Sequence, residues 1–234
     1  MENINDKLDK FIKEFYPTRE FEVHELISKI EDVLSNLKGR VRKGEQYLDG
    51  IPEFRLPCGC SDFGYFNEDY LTKYFVWLVH TGQEKFRIKS FINGQMNFPD
   101  IILNDIIFDF KAVKCNIGKK GQICAPNYNN AIHACSNVRK EFMDYFDEGK
   151  VSDLIKSFAI YTYYIINEND EQQIVDFKII PMICCIKTNT DFSVKSKNNE
   201  ETKNANVCIG YNGINEKETY EECIERLKRV TFIS

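Results

Sequence analysis

The stretch Asn97-Phe-Pro-Asp-Ile-Ile-Leu-Asn-Asp-Ile-Ile-Phe-Asp-Phe-Lys-Ala-Val-Lys114 decides the fold. Two β-rich apolar runs flank the polar pair Asn104-Asp105, and both residue types tolerate the positive φ of a two-residue turn, so the stretch reads as a β-hairpin. With that pair as the turn, residues whose numbers sum to 209 face each other, which sets Asp100 opposite Asp109. Side chains alternate across a strand. One face therefore carries Ile101, Leu103, Ile106, Phe108, Phe110 and Ala112, all apolar, and reads as a core face. The other carries Asp100, Ile102, Ile107, Asp109 and Lys111. Carboxylates directly opposite lie about 4.5–5.5 Å apart at Cβ and repel, and a bound divalent cation would remove that repulsion. A bare pair of aspartates is more often just two solvent-facing residues of a half-exposed hairpin. The added lysine and the surrounding chain make the case for a site.

The basic residues are distributed unevenly around this hairpin. The formal charge of the 234 residues is −5, which at face value argues against an anionic partner. Yet from Lys111 to Lys140 there is no Asp or Glu, while Lys111, Lys114, Lys119, Lys120, Arg139 and Lys140 supply six positive charges. A second basic cluster is Lys38-Gly-Arg-Val-Arg-Lys43, which contains Arg40. Charge clusters are commonly solvated faces, but a basic block that begins at the acidic pair marks a surface for an anion.

With 43% hydrophobic residues, including 18 Phe, the chain holds enough apolar surface for a substantial core. No run of eighteen apolar residues suggests a membrane span, and the N-terminus has no secretory pattern, so a cytoplasmic protein is expected. The nine cysteines are odd in number and scattered, which suits reduced thiols. Cys184 and Cys185 fall in an apolar run read as a strand, and Cys223 on the apolar side of a helix. Cys58-Gly-Cys60 is the only approach to a zinc pair, with a gap too short for good tetrahedral ligation.

The remaining chain predicts an α/β arrangement. Helices are expected at 3–15 and about 19–37, forming an N-terminal cap or a dimer surface. A helix from Asn67 to near Gly82 would have Asn67 as its N-cap and Glu68 and Asp69 in its first turn. Glu68 reads equally as a carboxylate paired with the helix dipole or as part of a site. A first strand is expected at 85–92, a Gly- and Lys-rich loop at 115–126, a helix at about 128–147, and central strands at 157–167 and 177–187. A polar loop or lid at 188–206 and a short edge strand at 207–211 precede a last helix at 216–230, with Asn215 as N-cap and Glu218 at the capping-box position. The sum is a mixed β-sheet flanked by helices, divided into an N-terminal helical segment over 1–60 and a core over 61–234.

Pro99-Asp100, eight residues, then Asp109-x-Lys111 matches the PD-(D/E)xK signature, and the chain resembles the type II restriction endonucleases. Asp109-Phe-Lys-Ala-Val-Lys114 and the later Ala125-Pro126-Asn127 are similar to the EcoRV/HincII group of blunt-cutting enzymes, and the element order from residue 67 to 230 is most like SwaI. The resemblance covers about two thirds of the chain. It implies a restriction-endonuclease-like core and a type II, site-specific deoxyribonuclease that leaves 5′-phosphates. Mg²⁺ would be bound by Asp100, Asp109 and the Phe110 backbone carbonyl. Lys111 would orient or deprotonate the attacking water and stabilise transition-state charge, and Glu68 would be the helix carboxylate behind the site. Double-stranded DNA would be contacted by Lys114, Lys119, Lys120, Gln122, Cys124 and Asn127, together with Arg40 and Lys43 of the second cluster. Cys124 stands where the group has a glutamine. Asn127 reads equally as a helix N-cap. A homodimer follows from cutting both strands of a palindrome, and a companion DNA methyltransferase is expected. Two other readings remain: a structure-specific repair or junction-resolving nuclease with the same core, and a non-catalytic DNA-binding protein.

Overall fold

In the computed structural model the described residues are 2–43, 46–47, 63–90, 99–117, 123–124, 156–188, 207–209 and 218–231. The hairpin is present as read. Strands β4 (Ile101–Leu103) and β5 (Ile106–Lys114) pair antiparallel with Ile101 opposite Phe108 and Leu103 opposite Ile106. Asn104 and Asp105 turn the chain with φ of 51° and 67°, the left-handed pair that matches strand twist. The turn is held from outside as well. Asn104 Oδ1 accepts from Arg87 N at 2.8 Å, and the Asn104 carbonyl accepts from the Arg19 guanidinium at 3.1 Å.

Two helices precede the sheet, α1 (Ile4–Phe15) and α2 (Glu20–Ser35). Asn3 starts α1 with a capping box to Asp6, and its apolar stripe buries Leu8, Phe11 and Ile12. Both helices pack on the sheet through β9 (Gln172–Pro181), and Phe11 meets Phe158 edge-on at 5.1 Å between ring centres. Their buried side chains belong to the same core as the sheet. The expected boundary at residue 60, with Cys58 and Cys60, lies outside the described residues.

The main sheet has the order β2-β1-β9-β8-β5-β4-β3, with β1 at Val41–Lys43, β2 at Gln46–Tyr47, β3 at Ile88–Ser90 and β8 at Phe158–Ile166. All its pairings are antiparallel except β5 with β8, which run parallel from Phe108 beside Phe158 to Lys114 beside Tyr164. Strand β5 is thus interior, and its apolar face is covered. Phe108 stacks on Phe158 at 5.5 Å, and Phe110 on Phe75 of α3 (Phe63–His80) at 6.4 Å. Each such phenyl ring removed from water contributes about 1.5–3 kcal/mol.

Several boundaries differ from expectation. Helix α3 begins at Phe63, so Asn67 is an interior residue and not a cap. The single Gly64 costs a helix only about 1 kcal/mol and does not stop it. Strand β3 spans Ile88–Ser90, and residues 91–92 of the expected strand lie outside the described residues. Within the expected 115–126 loop, Asn116–Ile117 (β6) and Ile123–Cys124 (β7) pair as a short antiparallel ladder.

The strand expected at 177–187 instead starts at Gln172 and ends at Pro181. Asn167 Oδ1 accepts from the backbone of Asn169 and Glu171, tightening the turn so that even the polar residues after it join the ladder with β8. Beyond Pro181, Met182–Cys185 form a helical turn (α4) that contains Cys184 and Cys185, and Ile186–Thr188 (β10) pairs with Val207–Ile209 (β11). The last helix, α5, runs Tyr220–Thr231, four residues later than expected. Its capping box is Thr219 with Glu222: Thr219 Oγ1 accepts from Glu222 N at 3.2 Å, and Glu222 accepts from Thr219 N at 2.7 Å.

Candidate active site

Strand β5 places Asp109 and Lys111 two residues apart on one face, and the register of the hairpin continues to Asp100, one residue before β4. Asp109 is buried at 4% exposure and the Lys111 side chain at 14%. Lys111 Nζ is ion-paired with Asp109 Oδ2 and also donates to the Phe110 carbonyl at 3.3 Å. Asp100 Oδ2 accepts from Phe110 N at 2.6 Å. The three signature side chains and the Phe110 carbonyl therefore form one cluster.

The electrostatics bring Glu68 into the same group. Burial, then the Asp109 charge, holds the Asp100 carboxyl well above the usual carboxylate range. Lys111 and the Phe110 N–H oppose that shift, while Glu68 adds to it. Burial alone would depress the Lys111 ammonium, but Asp109, Asp100 and Glu68 together hold it above the ordinary lysine range. Glu68, partly buried on α3, is close enough to act on both partners.

A hard divalent cation fits this donor set: two carboxylates and a backbone carbonyl, all oxygen. Among the described residues no three His, Cys, Asp or Glu side chains are grouped as a metal cage. Mg²⁺ does not require one, since it keeps several waters and is commonly held by one or two carboxylates.

The other expected site residues are placed less closely. Lys114 is exposed at the end of β5 and projects from the face opposite Lys111. Cys124 lies in β7, paired with Asn116. Arg40, just before β1, donates to the Asn36 carbonyl at 3.2 Å, and Lys43 ends β1. That strand is separated from β5 by β9 and β8, so this second basic cluster is not brought to the acidic pair. Lys119, Lys120, Gln122 and Asn127 lie outside the described residues, as does the helix expected at 128–147.

Two residues at or beside the site escape the sequence reading. Tyr161, fully buried, is the register partner of Lys111 on β8. Burial and the Cys185 thiol, with Tyr163 and Asp109 contributing, hold its hydroxyl well above the phenol range. Only the parallel register reveals this neighbour. Asn67, next to Glu68 on α3, is fully buried with neither side-chain amide atom hydrogen-bonded. Its position in the apolar stripe with Leu71, Tyr74 and Leu78 was the available signal.

No protein-family model matches the chain, and comparison with curated proteins gives no match. Among solved structures, NlaIV restriction endonuclease matches with a TM-score of 0.50 and 16% identity, over 88% of this chain and 80% of that one. At that identity the likeness establishes the fold: this chain has a restriction-endonuclease-like α/β core. It does not extend to the EcoRV/HincII group or to SwaI.

Proposed function

We propose that this protein is a metal-dependent DNA endonuclease of the restriction type. The observation that carries the reading is the convergence of Asp100, Asp109 and Lys111 on adjacent strands of a restriction-endonuclease-like sheet, with the Glu68 charge beside them. Asp100, Asp109 and the Phe110 carbonyl would hold Mg²⁺, which when bound polarises a phosphoryl oxygen and favours ionisation of water. Lys111 orients or deprotonates the attacking water and stabilises the charge that develops on the phosphoryl group. Glu68 supports the Lys111 charge from behind. Strand β8 and the aromatic core hold the β5 backbone in place.

The finer reading is a type II enzyme of the EcoRV/HincII kind that leaves 5′-phosphates. It would act as a homodimer on a palindromic site in the cytoplasm, with a companion DNA methyltransferase protecting the host. Cys115, Cys184, Cys185 and Cys223 are buried thiols outside any disulfide, which suits a reducing compartment. The basic stretch through Lys114, Lys119 and Lys120 follows directly from β5 and supplies phosphate contacts, while Gln122, Cys124 and Asn127 are the candidates for base contacts. Among the described residues no helix is long and apolar enough to cross a membrane.

The test is digestion of plasmid and phage DNA by purified protein with Mg²⁺. Discrete fragments that disappear with Asp109→Ala and Lys111→Ala are expected. Absence of cleavage across a broad set of DNA substrates overturns the reading, and preferential cutting of branched DNA replaces it with a junction-resolving nuclease.

A further inference from the structure

Lys111 is already engaged with the groups offered to a cation. Its Nζ lies against Asp109 Oδ2 and the Phe110 carbonyl, two of the three oxygen donors at the site, while the third, Asp100, is tied to Phe110 N–H. A divalent cation that takes these same two oxygens meets the ammonium at close range, and their positive charges repel. Without the ammonium, a 4%-exposed Asp109 carboxylate would face Asp100 with its charge uncompensated, a costly arrangement.

We infer that Lys111 is the resident counter-ion of the acidic pair, so that metal entry is an exchange of cations: the ammonium leaves Asp109 and Phe110 O as the metal arrives. The displaced ammonium, still on β5 and still charged, then needs a new anionic partner beside the metal, and a DNA phosphate is that partner. Metal and DNA therefore bind with positive cooperativity, each making the other's site available. Without DNA the lysine competes for the site and keeps metal affinity low. This inference rests on the reading of Asp100 and Asp109 as metal ligands in a nuclease.

The experiment compares wild type with Lys111→Met by calorimetry and thermal melting with Mg²⁺ and no DNA, and repeats the wild-type Mg²⁺ titration in the presence of a short duplex. Lys111→Met is expected to bind Mg²⁺ at least about tenfold more tightly, because the competing ammonium is gone. In chelator it should melt below wild type, and Mg²⁺ should restore it, since the metal then supplies the missing positive charge. Lys89→Ala, which removes an exposed charge on β3, should change neither quantity. If Lys111→Met does not fold, ¹⁵N-lysine spectra of wild type serve instead. One ammonium resonance should shift when Mg²⁺ and a short duplex are added together, and little with Mg²⁺ alone.

Equal Mg²⁺ affinity and equal melting in chelator for wild type and Lys111→Met overturn the inference, as does a wild-type Mg²⁺ affinity that ignores the duplex. The two readings fail separately. Cleavage without cation exchange sinks only the counter-ion role, and exchange in a protein that cuts no DNA sinks the nuclease.

Discussion

Replacing Asp100 by Asn should make the metal-free protein more stable and, if the proposed function holds, abolish DNA cleavage. Asp100 faces Asp109 across the hairpin, at a separation of about 5 Å for such pairs. At an effective dielectric near 20, two unit charges at about that distance repel by about 3 kcal/mol. Burial and this repulsion outweigh the attraction of Lys111 and the hydrogen bond from Phe110 N. Asn keeps an oxygen for that N–H, so the net gain should be about 1–3 kcal/mol, or about 2–4 °C in melting temperature per kcal/mol for a chain of this size.

The pH dependence fixes the sign. A carboxyl whose folded pKa is raised keeps its proton in the folded state after the unfolded chain has lost it. Wild-type stability therefore falls as pH climbs from the ordinary value of 3.8 through the raised one. The advantage of Asp100→Asn should grow as pH climbs above 3.8 and vanish as pH drops toward it. Urea denaturation in chelator at pH 7 and at pH 4, read as the difference between variant and wild type, measures it. A variant less stable than wild type at pH 7, or a difference that does not change between the two pH values, would refute the reasoning.

Thr219→Ala should cost about 0.5–2 kcal/mol by removing the α5 capping box, measurable by thermal melting. Phe158→Ala should cost about 3–5 kcal/mol, because its ring bridges Phe11 and Phe108; urea denaturation checks it. Asn67→Leu should be neutral or stabilising by about 1–3 kcal/mol, since it removes two buried polar atoms that have no partner. A destabilised Asn67→Leu would instead mean that the amide holds a group needed for folding. Binding of wild type to a duplex in Ca²⁺ should weaken steeply with added salt, as expected for phosphate contacts by a basic segment on an otherwise acidic protein. A flat salt titration would remove the basic stretch from the interface.

The hairpin and its acidic pair were legible in the sequence because everything that defines them is local: a turn-forming dipeptide, strict alternation, and a register fixed by the turn. The pairing of β5 with β8 was not, since Phe108 and Phe158 are fifty residues apart and no local signal encodes a parallel partner. That pairing is what sets Tyr161 beside Lys111. Helix starts failed where two signals compete. Asn215 with Glu218 and Thr219 with Glu222 both have capping-box spacing, and burial of Tyr220 and Cys223 goes with the second. Strand β9 was misjudged at both ends because its polar start is recruited by a neighbouring strand, while the apolar residues after Pro181 coil into a helical turn. The distant basic cluster at Arg40 and Lys43 looked equivalent to the one after Lys111 in sequence, and only the strand order separates them.

The lone parallel junction also bears on how the chain reaches this state. The hairpins β4–β5 and β8–β9 are each closed by short turns and can form early, but their union requires a loop of some fifty residues to close first. Until it does, β5 presents an open edge carrying Asp109 and Lys111, able to pair with any strand that arrives. During synthesis that edge emerges before its partner exists, because β8 is encoded downstream. The step that encloses β5 should therefore be slow and exposed to aggregation, and refolding yield should fall as protein concentration rises.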